Sequence, residues 1–516
     1  MRRALTTIVA CLAASLVLAP AASAIDKVDT KKLRKGVTLD GILEHERAFQ
    51  NIAIAHDDNR AATTSGYDAS VEYVSNRLKA AGYRVSLDEF DFPVWAQNGP
   101  STLAEISPTA RTFAEGTDYI VSQFSAAGDL TANVVPTNDI VFPAPGGPGT
   151  STSGCEPGDF PAATAGNIAL MQRGTCPFVQ KYQNAKNAGA VAALIFNDGF
   201  EGRTAPLFIT SPVNIGIPTI MTSSDVGRSL YTEAQSGPVS LNVVVDATTT
   251  PNTEVNVIAD SPRGQGGRTI VVGAHLDGVA AGPGINDNGS GSAGILEIAE
   301  QVAQLDERPR NRLRFAFWGA EEAGLVGSTA YVNEQAQTGG IKDIEANLNF
   351  DMIGSPNFVR FVYDGDLSDS TPPPSGAPPG SAQIEQMFLR YFDRQGLATD
   401  PTAFDGRSDY GPFISNKVPA GGLFTGAEGL KTQRQADIYG GFVGMQYDPN
   451  YHEEGDTFFN LSHTALDQMS DAAAHAAWTL ARSRSSIIEA TAAKAKKGKR
   501  AKRGQAWKFQ GPFRVR

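Results

Sequence analysis

Five short stretches of this chain carry side chains that can bind a metal ion or move a proton: His275-Leu276-Asp277, Asp287, Glu321-Glu322, Asp351 and Tyr451-His452. A lone histidine or aspartate is usually a satisfied surface or core residue, but this many at successive strand ends mark a site. Imidazole and carboxylate without an available thiolate suit zinc or a related borderline metal, and the carboxylates suffice for two ions sharing one bridging group. Two rival chemistries fail on the same residues. The glycine-rich turn from Gly282 to Gly291, with Asp287 at its centre, lacks both the Lys-Ser/Thr of a phosphate loop and the G-x-G-x-x-G spacing. No G-x-S-x-G is evident, and Ser290 has no histidine near it in sequence.

Regular elements must hold these residues in place. Arg268–Ala274, Leu313–Phe317 and Ile344–Phe350 read as strands, two of them nearly all apolar, and Ala293–Leu305 reads as a helix with Ile295, Leu296, Ile298 and Val302 on its apolar face. Strands alternating with helices predict an α/β fold, a mostly parallel central sheet flanked by helices on both faces. Ligands of such sheets bind beyond the carboxyl ends of the strands, where the polar residues lie. Upstream, helices are expected over Leu39–His56 and Ala69–Ala81, the second stopped by Gly82, then a strand over Tyr83–Phe90. From about 100 to 240 the texture changes to Gly, Pro, Ser and Thr with short β-like runs, a helix near Lys181–Gly189 and an apolar strand over Ala190–Asn197. His45, His56, His463 and His475 are expected at the surface. The proline-rich run Pro372–Gly380 reads as a loop insert without chemistry of its own.

The whole-chain numbers limit the alternatives. A length of 516 residues implies two to four domains. With 41% hydrophobic and 19% charged residues and three cysteines, the chain is neither a disordered polyelectrolyte nor a disulfide-dense miniprotein. Met1-Arg2-Arg3, the apolar run Ala4–Ala19 and Ala22-Ser23-Ala24 match a secretory signal cleaved after residue 24, and no later segment is apolar enough for a membrane span. The mature protein is therefore expected to be secreted, extracellular and soluble. Cys11 leaves with the signal, so Cys155 and Cys176 are expected to pair, at a gain of about 3 kcal/mol. The net charge of −11 conceals two opposite surfaces: with +2 on 1–24 and +10 on 490–516 set aside, residues 25–489 carry −23. That acidic body argues against nucleic-acid binding, and the basic tail offers contact with an anionic cell wall or a merely solubilising end.

The strings "VVGAHLDGVAAGPGINDNGSGSAG", "FAFWGAEEAGLVGS", "NFDMIGSPN", "FDGRSDYGPF" and "YDPNYHEEGDT" resemble the secreted bacterial di-zinc leucine aminopeptidases, a group that includes the aminopeptidase Y-like enzymes. "ALMQRGTCPFVQKYQNAKNAGAVAALIFN" resembles a protease-associated (PA) domain. The resemblance implies a zinc exopeptidase fold with an inserted β-rich PA domain, divided as signal 1–24, arm or pro-segment 25–37, catalytic parts 38–105 and 241–489 around an insert at 106–240, and a basic tail at 490–516. It implies two zinc ions per chain: His275 and Asp351 on one, Glu322 and His452 on the other, Asp287 bridging. Glu321 becomes the general base acting on the zinc-activated water, Asp277 the partner that fixes the His275 ring, Tyr451 the donor to the developing oxyanion, and Arg407 a contact for the free substrate terminus. Glu321 and Asp351 are candidates for holding the substrate's α-ammonium, and the side-chain pocket is expected to be apolar. Peptides with a free N-terminus are the expected partners, large apolar first residues such as leucine the expected preference, and a monomer the expected state.

This chain departs from the pattern in two places. Relatives often carry cysteines on both sides of the last metal-binding histidine, where Asn450 and Gly455 stand here, so that loop is expected to be held by packing alone. Asn288 follows Asp287 where aspartate is commoner. Calcium binds some relatives, but no local motif carries it over. Rival readings are a dipeptidase or carboxypeptidase with the same cage, and a binding protein working through its PA domain; the insert itself either shapes substrate access, binds a partner or is passive.

Overall fold

The computed structural model describes residues 28–200, 203–207, 214–369 and 377–488. The expected signal, the basic tail and residues 372–376 of the proline-rich loop lie outside them. The site is carried by an eight-stranded sheet built from β1 (Arg84–Asp91), β2 (Thr253–Asp260), β3 (Gln265–His275), β4 (Asn311–Trp318), β5 (Ile344–Phe350), β6 (Phe361–Tyr363), β7 (Asp400–Thr402) and β8 (Ala420–Phe424). Their spatial order is β1-β2-β4-β3-β5-β8-β6-β7. The four central strands β4, β3, β5 and β8 are mutually parallel, and antiparallel pairs join them to the edges.

Two apolar layers sandwich this sheet. Ile270, Val272 and Ala274 of β3 point into the larger core, while Val271 points into the other. The larger face is covered by α1 (Lys31–Gly36), α2 (Leu39–Ala55), α3 (Ser65–Ala80), α4 (Gly291–Ala303), α5 (Ser381–Gln395) and α6 (His463–Arg482). The opposite face packs on the helices Val326–Thr338 and Tyr410–Ser415 through Tyr331, Val332 and Phe413. The α3 helix begins four residues earlier than periodicity predicts because Thr64 caps it, its hydroxyl accepting from Tyr67 N–H. The segment expected as an arm is docked instead: α1 buries Leu33, and Val37 follows it into the same core.

The chain leaves the main sheet through β1 and returns through its antiparallel neighbour β2, with Arg84 opposite Asp260 and Asp91 opposite Thr253. Val94–Gln97 and Ala247–Thr250 then pair as a two-stranded stalk. Beyond the stalk, strands between Thr102 and Val245 form a second eight-stranded sheet with its own apolar clusters. Cys155 and Cys176 are bonded there, as their count predicts. Two histidines are not where the sequence reading puts them. His45 is fully buried and His475 nearly so, because each finds a partner from a distant segment: Tyr73 Oη at 2.7 Å for His45, Thr30 Oγ1 at 2.8 Å for His475. Among the described residues no helix is long and apolar enough to cross a membrane.

Candidate metal centre

Parallel pairing aligns the ends of β4, β3 and β5. His275 stands opposite Trp318, and Gly273 stands opposite Asn349, so Glu321, Glu322 and Asp351 emerge beside His275. Asp287 comes from the turn between β3 and α4. Gly284 opens that turn at φ +62°, where a Cβ would lie 2.6 Å from the Asp287 carbonyl oxygen. Three non-glycine residues near the site also hold left-handed backbone: Ala320 before Glu321, Met352 after Asp351, and His452 itself. Such conformations cost on the order of 1–3 kcal/mol each and persist where the surroundings fix them, typically at functional sites.

The side chains converge on Asp287. Its Oδ1 lies 3.3 Å from His275 Nε2, and its Oδ2 lies 3.3 Å from His452 Nε2. His275 Nε2 is also 3.4 Å from Asp351 Oδ1, and His452 Nε2 is 2.9 Å from Glu322 Oε2. Glu321 groups with His275 and Asp351, all within 4.8 Å of one another. Glu322 Oε1 and His452 Nε2 are buried without a hydrogen bond. Histidine nitrogens facing carboxylates at these distances, with orphaned lone pairs between them, are a donor set that fits zinc.

Charge is unbalanced in this cage. Burial raises Glu321 well above the ordinary carboxylate range, with the charges of Asp409, Glu322 and Asp351 adding to it, and burial with Asp287 pushes Glu322 to about 7. Burial by itself would lower His452, but Glu322 and Asp287 outweigh it and lift it to about 11. Four carboxylates against two imidazoles favour whatever brings positive charge. Burial keeps the Tyr451 phenol protonated far above its ordinary value, and its ring stacks on His452 at 3.9 Å between centroids.

Asp277 does not reach the His275 ring through its side chain. Its backbone carbonyl, not its carboxylate, orients the His275 ring, at 3.0 Å from Nδ1 against 3.8 Å for Oδ1. The carboxylate instead accepts the backbone N–H groups of Glu321 and Glu322 at 3.1 and 3.3 Å. The His452 loop is not held by packing alone either. Asp456 accepts the N–H groups of Asn286 and Asp287, Asp448 accepts from Asn286 Nδ2 at 2.6 Å, and Asn460 donates to both aspartates. Asn450, in the place of a cysteine, donates to Asn460 Oδ1 at 2.6 Å. Asn288 has a reason too: its amide donates to the Phe350 carbonyl while its oxygen accepts from Gly291 and Met352, which an ionised aspartate cannot do.

Other residues that hold the site carry no sequence signal of that role. Arg60 is fully buried and donates to the carbonyls of Leu276 at 2.5 Å, Pro283 at 3.0 Å and Gly284 at 2.5 Å, clamping the connection between His275 and Asp287. Ser408 donates to Asp351 Oδ2 at 2.5 Å. It lay unremarked inside the string FDGRSDYGPF. The cage opens into a cavity of about 130 Å³ that its own carboxylates and His275 line on one side and Met352, Tyr363, Phe424 and Ala427 on another. Arg407 lines it and pairs with Glu428 at 3.4 Å.

Comparison with known proteins places this geometry in context. The model of peptidase family M28 matches residues 256–477, and the PA domain model matches residues 130–230. An aminopeptidase of Pseudomonas aeruginosa (strain UCBPP-PA14) is 46% identical over 436 residues, 84% of this chain and 79% of the relative. Leucine aminopeptidase 2 of Trichophyton equinum is 37% identical over 480 residues, 93% of this chain and 90% of the relative. The solved aminopeptidase from Aneurinibacillus sp. strain AM-1 shares the fold, with a TM-score of 0.67 at 23% identity, over 89% of this chain and 98% of that one.

Proposed function

This chain belongs to peptidase family M28 and is an aminopeptidase, and on that premise we propose that it removes N-terminal residues from peptides with two zinc ions held around Asp287. One observation carries the reading: the two oxygens of Asp287 face two different histidines, each at 3.3 Å. His275 and Asp351 would hold one ion and Glu322 and His452 the other, with Asp287 serving both. When bound, the pair polarises the scissile carbonyl and makes water nucleophilic near neutral pH.

The protein's own groups do the rest. Glu321, whose backbone is fixed by Asp277, takes a proton from the attacking water and passes it to the leaving amine. Tyr451 donates its phenolic hydrogen to the oxygen that gains charge. Glu321 and Asp351 receive the substrate's α-ammonium, which imposes a free N-terminus, and Arg407 binds a free substrate terminus at the mouth. Met352, Tyr363, Phe424 and Ala427 give the cavity an apolar wall that suits a large apolar side chain such as leucine. Zinc is favoured by the imidazole and carboxylate donors. Export in monomeric form completes the proposal, the Cys155–Cys176 bridge being suited to an oxidising compartment.

Leucine anilide should be hydrolysed and its N-acetylated form should not, and Glu321→Gln should lower kcat by at least 100-fold while both ions of the Asp287 cage remain bound. Equal turnover of the blocked substrate would refute the exopeptidase reading. Full activity of Glu321→Gln would refute the base.

A further inference from the structure

His45 on α2 is buried, yet its Nε2 makes no hydrogen bond. That nitrogen faces Glu297 Oε2 at 3.7 Å and Glu300 Oε2 at 4.0 Å, both on α4, and one ligand atom from each of the three lies within 4.8 Å of the other two. Glu297 and Glu300 are three residues apart and so share a helix face. The ring is held from its other side: Nδ1 lies 2.7 Å from Tyr73 Oη on α3, and if Nδ1 donates there the lone pair of Nε2 is left for the carboxylates. Metal-binding histidines are held in this way.

The carboxylates are positioned as well. Arg77 on α3 donates to both oxygens of Glu300, at 2.6 and 2.8 Å, and to Glu44 at 2.6 Å, while Gln301 donates to Glu297 Oε1 at 3.1 Å. Gly41, inside α2, lies against Glu297. A Cβ there would sit 2.5 Å from Oε1 and 2.9 Å from Oε2, so the helix carries a glycine at a cost of about 1 kcal/mol where any larger residue would displace the carboxylate. With a neutral His45, Glu297 and Glu300 carry −2, and Arg77, bonded to Glu300 and to the exposed Glu44, offsets part of it. The buried cluster is left net negative, which favours a cation. The Glu300 side chain is 14% exposed, which leaves the cluster an entrance.

We propose that His45, Glu297 and Glu300 form a third metal site, outside the Asp287 cage, that takes a zinc-type divalent ion and ties α2 to α4. Tetrahedral zinc with bonds of 2.0–2.1 Å brings its ligand atoms to about 3.3 Å from one another, so closure asks each carboxylate to move by less than about 1 Å. The fourth position is left to water. Because α4 follows the turn that carries Asp287, an ion here would anchor that turn from outside the reaction path.

The full chain, stripped by a chelator and dialysed against Zn²⁺ or Co²⁺, tests this by metal count. Wild type should bind three ions per chain, Glu297→Gln and His45→Gln two, and both variants should keep wild-type kcat on leucine anilide at saturating zinc. The third equivalent of Zn²⁺ should raise Tm in wild type alone, and Co²⁺ spectra should lose one tetrahedral contribution in the variants. An unchanged count between wild type and Glu297→Gln overturns the site, as does an imidazole signal showing His45 protonated on both nitrogens in excess zinc. The difference of one ion stands whether or not the Asp287 cage binds two, so failure of the catalytic reading and failure of this one are told apart.

Discussion

A carboxylate that accepts two backbone N–H groups cannot become an amide without facing one of them with a donor. Asp277 is in that position beneath Glu321 and Glu322. Asp277→Asn should therefore fold normally but shift both glutamates, lowering kcat on leucine anilide by about 10–100-fold with KM little changed. A fall no greater than that of a surface Asp→Asn control would show that the carboxylate does not set the glutamates. The family resemblance picked out Asp277 as the partner of the His275 ring but not the atom that does it, since only the path of the backbone decides that its carbonyl reaches Nδ1 first. Arg60 was invisible for a related reason. Its acceptors are carbonyls, which every residue has, and they lie more than two hundred positions away.

At the scale of elements, hydrogen bonds tie the His452 loop to the turn that carries Asp287. Asn460→Ala would leave Asp448 and Asp456 buried short of donors, at a cost of about 1–3 kcal/mol. Zinc should then leave the variant faster in chelator than it leaves wild type, and an unchanged release rate would show that the network does not hold His452. The seam of α1, α5 and α6 gives a pH prediction. Burial, with Arg394 and Arg34 nearby, holds His475 down to about 4, while Thr30 bonds its Nδ1, Tyr391 stacks on it, and Asp471 pairs with Arg34. The unfolded chain takes up this proton first as pH falls. The stability gained from a neutral His475 is thus complete above about 6.5 and lost towards pH 4, at most about 3 kcal/mol. His475→Phe should lose less stability than wild type between pH 7 and pH 4.5 in urea titrations, and parallel curves would contradict the assignment.

Across the whole molecule, the two sheets have separate apolar cores joined by a narrow stalk, and the disulfide lies in the second. Cys155→Ser with Cys176→Ser should lower the insert's own thermal transition by about 3 kcal/mol of stability and leave kcat on leucine anilide within twofold of wild type. A matching fall in both would mean that the units unfold together. The sequence by itself determined the α/β class, the interruption by a β-rich segment, the cysteine pair and the residues that meet at Asp287. Those depend on local periodicity and on parallel strands delivering their ends to one place. Tertiary structure decided what periodicity cannot express. The docking of α1, the burial of His45 and His475, and the amide network around Asp448 and Asp456 each turn on a polar group meeting a partner distant in sequence, as Thr30 meets His475 across 445 positions. A polar residue enters a core only when such a partner satisfies it, and the chain shows that partner only once it has folded.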